Sequence, residues 1–82
     1  MEMIKVNVLF FGATADAVGE REVEFNFAAD TKSATAFDEI KSRYPRLNDH
    51  KLLFAVNQEY ANGSEPINDG DELAVFTAVS GG

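Results

Sequence analysis

The sequence predicts an α+β fold in which one main helix and a short extra helix accompany a mixed five-stranded sheet. Two observations lead to this prediction. The periodicity changes along the chain in the order strand, strand, helix, strand, short strand, strand, with no linker or repeat. The apolar segments 4–11 and 73–79 carry apolar residues on both faces, as strands in the middle of a sheet do. We therefore expect these two strands to lie side by side.

Composition indicates one small folded domain spanning residues 1–82, with a flexible tail at 80–82. Hydrophobic residues make up 45% of the chain and cysteine is absent, which excludes disulfides, thiolate metal sites and a cysteine nucleophile. No segment approaches the roughly 18 apolar residues of a membrane helix, so the cytoplasm is the expected location. The net charge of −7, without a basic cluster, argues against nucleic acid. It favours a partner with a basic surface, or it simply keeps the domain soluble.

Two segments near the beginning of the chain alternate with the period of a strand. Ile4, Val6, Val8 and Phe10 share one face of the first predicted strand, 4–11. The small residues of 12–19 predict a short helix closed by a glycine. A second strand then follows with phenylalanines on one face and acidic residues on the other, which is typical of a strand with one buried face.

A helix is predicted after the second strand. Its apolar residues fall at offsets of zero, one, four and eight, which places them on one helical face: Ala36, Phe37, Ile40 and Tyr44. Three residues compete to cap its amino end: Asp30, Thr31 and Ser33. Pro45 is expected to end the helix, because proline disfavours helical geometry at the residue before it.

The last third of the chain predicts strands at 52–56 and 59–61 and a final strand at 73–79. His50 lies in the polar segment 48–51 and is interpreted as a solvated loop residue. Asp69 and Asp71 flank Gly70, a spacing that suits a tight turn better than a metal or catalytic pair. We therefore predict no metal site.

Three segments together carry a family resemblance: IKVNVLFF at 4–11, LFAVN at 53–57 and DGDELAVFTAVSGG at 69–82. The chain resembles the ubiquitin-like β-grasp sulfur carriers of the MoaD and ThiS type, and most of all the small subunit of molybdopterin synthase. The resemblance implies a β-grasp fold. It also implies a chain that binds no cofactor and is not catalytic alone, but donates sulfur within a synthase complex.

The resemblance further implies a role for the carboxyl end. A ubiquitin-activating-like adenylyltransferase (MoeB-like) would use ATP and magnesium to adenylate the Gly82 carboxylate. A sulfur donor protein would then convert it to a thiocarboxylate, which attacks a pterin precursor in the large subunit (MoaE-like). Ser80 and Gly81 complete the tail, since residues with little or no side chain can enter a narrow channel.

In this family an apolar patch beside the tail docks the partners. The candidates here are Phe76, Ala78, Phe10 and Phe11. Strand alternation means that about half of the apolar side chains in this region must fill the core instead. We choose Phe76 as the aromatic residue that faces the partner.

Other functions remain open. A carrier for thiamine synthesis or a ubiquitin-like protein modifier would have a similar tail, and a β-grasp interaction module could end in Gly-Gly without using it. The insertion at 12–19 favours the molybdopterin carrier, since thiamine-type carriers are usually shorter between the first two strands.

Overall fold

The computed structural model describes residues 2–77. Its strands are β1 (Met3–Phe10), β2 (Glu22–Ala28), β3 (Leu52–Val56), β4 (Glu59–Tyr60) and β5 (Glu72–Thr77). Its helices are α1 (Ala13–Val18), α2 (Ser33–Arg43) and a 3-10 helix (Pro45–Asp49). The strands form one sheet in the order β2-β1-β5-β3-β4, in which β1 and β5 are parallel and the other pairs are antiparallel. The predicted fold class and the adjacency of the first and last strands are confirmed.

One face of the sheet carries the core. Along β1 every second side chain is buried there, and β5 adds Leu73 and Val75. On β2, Phe25 and Phe27 are buried while the alternating residues Glu22, Glu24 and Asn26 are exposed, as the alternation predicted. The core therefore occupies the side of the sheet on which α2 lies. Within residues 2–77, no helix has the length and apolar character needed to cross a membrane.

Helix α2 places its predicted apolar stripe on the sheet. Ala36, Phe37 and Ile40 are buried, and Tyr44 is half-buried with its ring edge-on to Phe10 at 5.7 Å between centroids. The helix ends at Arg43, two residues before Pro45, in agreement with the expected effect of the proline.

The capping prediction for α2 is wrong. The residue at the N-cap position is Lys32, which makes no side-chain capping bond, and the Thr31 hydroxyl donates instead to the Ala28 carbonyl. The first helical N–H groups donate to the loop before β5: Ser33 N–H to the Glu65 carbonyl and Ala34 N–H to the Gly63 carbonyl. Because distant backbone satisfies these donors, no adjacent side chain is needed.

The segment after α2 also differs from the prediction. Pro45–Asp49 forms a 3-10 helix, so the first half of the expected polar loop is helical. The reason is Leu47, which is fully buried and draws this turn onto the core. His50 follows the turn and is exposed, which confirms its interpretation as a solvated residue.

Two turns set the register of the last strands. Asn57 and Gln58 both have positive φ, as a two-residue hairpin between β3 and β4 requires. In the turn before β5, Asp69 Oδ1 accepts the Lys5 N–H at 2.8 Å and Asp71 Oδ2 accepts the Asn68 N–H at 2.8 Å. The turn interpretation of the two aspartates is confirmed.

The loop that caps α2 supports a prediction about pH. The Glu65 carboxylate accepts hydrogen bonds from Ser33 Oγ at 2.6 Å, Asn62 N at 2.7 Å and Gly63 N at 3.0 Å. These bonds, the Ser33 bond first, lower the pKa of Glu65 from 4.5 to about 2. A lowered pKa stabilises the fold above the unfolded value, and that stabilisation is lost as pH falls from 4.5 to about 2.

We therefore expect Glu65→Gln to lower the free energy of unfolding at neutral pH, and the deficit relative to wild type to shrink as pH approaches 2. Urea unfolding of both chains across that range measures it. The two chains differ only at residue 65, so contributions from all other groups cancel in the difference. A deficit that stays constant with pH would contradict the assigned role of the ionised carboxylate.

Candidate functional site

The face of the sheet opposite α2 carries exposed apolar side chains. Ala74 and Phe76 alternate with the buried residues of β5 and point to this open face. Cross-strand pairing sets Leu9 beside Ala74, and sets Leu53 beside Phe76. Tyr60 of β4 lies against Phe76, with 5.9 Å between ring centroids. Four strands, β1, β3, β4 and β5, thus contribute to one surface.

We call this surface the apolar patch. It forms a shallow depression whose apolar lining comprises Leu9, Phe11, Ala55, Tyr60, Ala74 and Phe76. The exposed fractions of Phe11 and Tyr60 are 51% and 74%, and Leu53 at the edge is 36% exposed. Exposed apolar side chains grouped in this way mark interaction surfaces more often than single exposed residues do.

The rim of the patch is mainly acidic. Glu72 lines the depression, and Glu22 pairs directly across from Leu9 on the neighbouring strand. Glu24 follows on the same exposed face of β2, while Arg21, which adjoins Leu9, supplies one positive charge. None of these three acids takes part in an ion pair within the described part of the chain. Their charges are therefore free to attract a basic partner surface.

The structure confirms two of the four predicted patch residues as surface-facing and corrects a third. Phe76 and Phe11 line the depression. Phe10 does not, because it shares the inward face of β1 with Val8 and is only 2% exposed. The prediction for Phe10 is therefore wrong. Ala78, like the tail residues Ser80, Gly81 and Gly82, lies outside the described residues.

Sequence reasoning missed Leu9 of β1 and the contributions of β3 and β4 to the patch. Leu9 and Ala55 each sit one residue out of phase with side chains of the core or packed against it, and that alternation was the available signal. Alternation could not predict that Ala55 pairs with both Ala74 and Tyr60, so that β3 lies between β5 and β4.

The patch lies next to the point where the tail begins. Because β5 runs parallel to β1, the carboxyl end of β5 meets the end of β1 and helix α1. The short helix at 12–19 is confirmed, and Gly19 closes it in the left-handed conformation with its N–H donating to the Ala15 carbonyl at 2.8 Å. Residues 78–82 follow directly after Thr77. A partner seated on the patch would thus be beside the tail.

Within residues 2–77 no group of three or more histidine, cysteine, aspartate or glutamate side chains is arranged to hold a metal ion. The acidic side chains near the patch lie on an exposed strand face, with no histidine or cysteine beside them. The exposed apolar and aromatic side chains of the patch suit docking.

Comparison with known proteins agrees with this arrangement. The model of the ThiS family matches residues 8–82. The chain belongs to the ThiS family. A Mycobacterium tuberculosis relative, a molybdopterin synthase sulfur carrier subunit, is 44% identical over 98% of this chain and 100% of its own length.

Two solved structures extend the comparison of this ThiS-family chain. SAMP1 from Haloferax volcanii superimposes with a TM-score of 0.82 at 29% identity, covering 95% of this chain and 99% of that one. A Helicobacter pylori complex of subunits 1 and 2 of molybdopterin-converting factor contains a chain with a TM-score of 0.69 at 23% identity, covering 96% of this chain and 100% of that one. The latter likeness shows the shared fold.

Proposed function

We propose that this chain is the sulfur carrier subunit of a molybdopterin synthase and that the Gly82 carboxylate is where sulfur is attached. The observation that carries the proposal is the full-length similarity to the Mycobacterium tuberculosis sulfur carrier subunit. The apolar patch lies beside the end of β5, after which the sequence continues to Gly-Gly, and this position supports the proposal. In this role the chain is a sulfur donor within a complex and not a catalyst alone.

The chemistry begins at a carboxylate, which is a poor electrophile because its negative charge repels nucleophiles. Transfer of AMP from ATP, with magnesium bound by the activating enzyme, gives Gly82 a good leaving group. Sulfide-level sulfur supplied by a donor protein then attacks the acyl carbon, so that a C–S bond replaces the C–O bond to the departing AMP and a thiocarboxylate remains. This soft nucleophile attacks the pterin precursor in the pocket of the large subunit. Gly81 and Gly82 have no side chains to obstruct entry into that pocket.

The large subunit and the adenylyltransferase are proposed to dock on the apolar patch. Its exposed aromatic side chains, Phe11 and Tyr60, supply the apolar area that anchors interfaces. The acidic rim predicts a partner surface with an apolar centre and basic residues around it. The Helicobacter pylori complex supports a large-subunit partner, since it joins subunit 1 to subunit 2.

A second candidate function is protein modification. The observation that favours it is the likeness to SAMP1, which is described as a small archaeal modifier protein in a second solved structure. In that role activated Gly82 would be joined to an amine of a target protein. The two functions share the tail and differ in the nucleophile that meets it.

A genetic experiment tests the pathway. We expect this chain to restore molybdoenzyme activity in cells that lack their own molybdopterin carrier, and not to restore growth without thiamine in cells that lack their thiamine carrier. The physical reason is that α1 and Phe11 add surface beside the tail that a matching large partner contacts. Immunoblots of the same cells, with the chain tagged at its amino end, report any conjugates. Rescue of thiamine synthesis alone, or conjugates without molybdoenzyme rescue, would contradict the proposal.

A further inference from the structure

Thr14 is one of two fully buried polar residues in the described part of the chain, and the other, Ser33, bonds to Glu65. Thr14 lies in the first turn of α1. Its Oγ1 accepts a hydrogen bond from the Phe11 N–H at 2.9 Å. The hydroxyl can donate its one proton to either of two carbonyl oxygens, that of Phe11 at 2.7 Å or that of Val75 at 2.8 Å. The bond to Val75 joins α1 to the last strand across 61 residues of sequence.

The end of β5 needs such a hydrogen-bond partner because its pairing with β1 stops earlier than its pairing with β3. On one side β3 pairs as far as Thr77, opposite Leu52. On the other side the pairing with β1 ends at Val75, opposite Phe10, since the chain then turns at Gly12 and forms α1. Beyond this point the Phe11 N–H reaches the Val75 carbonyl only at 3.2 Å. When the Thr14 hydroxyl donates to Val75 and not to the Phe11 carbonyl, it supplies the shorter bond to this oxygen, at 2.8 Å.

We propose that Thr14 is a positioning residue for sulfur transfer: its buried hydroxyl holds the end of β5 and so fixes where the tail begins. The inference rests on the proposed function, because it concerns delivery of Gly82. Five residues, 78–82, follow Thr77. Any opening of β5 adds residues to the link between the sheet and Gly82, and a longer link lowers the effective concentration of Gly82 at the partner's pocket. It also loosens the orientation of the reacting group.

A purely structural role for Thr14 makes a different prediction. Loss of the hydroxyl would then lower the melting temperature and leave the reaction of the folded, docked chain unchanged. A docking role would raise Kd for the large subunit. A positioning role lowers the rate of transfer within the complex while Kd stays constant, so the two quantities separate the three cases.

The experiment uses Thr14→Val, which keeps the shape and removes the hydroxyl, and Thr14→Ser, which keeps the hydroxyl. Thr31→Val is the matched control: its hydroxyl also donates to a backbone carbonyl, that of Ala28, at 2.6 Å. Ala28 pairs with Met3, at the opposite end of the sheet from the tail. Each chain is converted to the thiocarboxylate, mixed with the large subunit and pterin precursor, and followed in a single turnover at saturating large subunit.

We expect Thr14→Val to slow transfer about ten-fold with Kd within about two-fold of wild type. Thr14→Ser and Thr31→Val should stay within about two-fold of the wild-type rate. In the chain alone, hydrogen exchange of the Phe76 and Thr77 amides should quicken about five-fold in Thr14→Val, the factor that one hydrogen bond is worth. The same amides in Thr31→Val should exchange at the wild-type rate.

Wild-type transfer by Thr14→Val would overturn the inference, whatever its melting temperature, and so would a higher Kd at an unchanged rate. Failure of the wild-type chain to transfer sulfur would instead overturn the proposed function, and the positioning role would fall with it. Hydrogen exchange still decides whether the hydroxyl holds β5: equal exchange in wild type and Thr14→Val refutes the contact on which the inference is built.

Discussion

Removal of Gly82 is expected to abolish sulfur transfer while leaving the melting temperature of the chain unchanged. The core lies within residues 4–75, and the deletion touches none of it. Truncation moves the carboxylate one residue closer to the strand, by about 3.3–3.6 Å along an extended chain. The terminal carboxyl carbon then no longer reaches the pocket of the large subunit in which it is proposed to react, so we expect transfer to be lost completely.

The measurement is the intact mass of the chain after incubation with the activating enzyme, ATP, magnesium and sulfur donor, followed by the synthase assay with the large subunit. Wild type should gain the mass of one sulfur in place of one oxygen. An added residue after Gly82 should be as inactive as the deletion, since it carries the carboxylate past the reacting position. Ser80→Ala, which keeps the Gly-Gly end, is the control that should remain active. Normal transfer by the truncated chain would refute the role of the tail.

Replacement of Phe76 by alanine is expected to weaken binding of the large subunit by roughly 1–3 kcal/mol, as truncation of a central aromatic anchor does. That corresponds to a Kd about 5- to 150-fold higher. The free energy of unfolding should fall by less than about 2 kcal/mol, because the ring is only half-buried and lies on the open face against Tyr60. Titration calorimetry gives Kd, and urea unfolding gives the stability.

Phe54→Ala is the matched control. Phe54 belongs to the neighbouring strand and is also half-buried, but its ring stacks on Phe37 of α2 at 3.9 Å between centroids, on the face opposite the patch. It should therefore lose stability and bind the large subunit as wild type does. If Phe76→Ala loses stability and binds normally, Phe76 belongs to the core in function and the docking face lies elsewhere.

The capping of α2 and the burial of Phe10 are two features that the local sequence did not predict. The amino end of α2 has three good capping residues beside it, yet its N–H groups use the 63–65 loop, which is about 30 residues away along the chain. Phe10 and Phe11 are adjacent and chemically identical, yet one is buried and the other half exposed. Alternation shows that they face opposite ways, but not which of two apolar faces α2 will cover.

The sequence by itself determined the elements and their order. Alternation over 23–27 defined β2, helical spacing over 36–44 defined the buried stripe of α2, Pro45 ended it, and the two-sided apolar segments placed β1 beside β5. These signals are local, because backbone geometry sets a period of two or 3.6 within a few residues. The Gly-Gly end, together with the turn and apolar strand ahead of it, likewise indicates the carrier family from residue types alone.

Only the tertiary structure decided what surrounds the tail. The apolar patch joins β1, β3, β4 and β5, and the Thr14 hydroxyl meets Val75 because parallel pairing brings the end of β1 to the end of β5. Neither arrangement leaves a periodic trace, since each depends on which strands pair and in which register. The proposed chemistry of the carboxyl end depends on the last residues of the sequence, whereas the apolar patch proposed to dock its partners exists only once the sheet has formed.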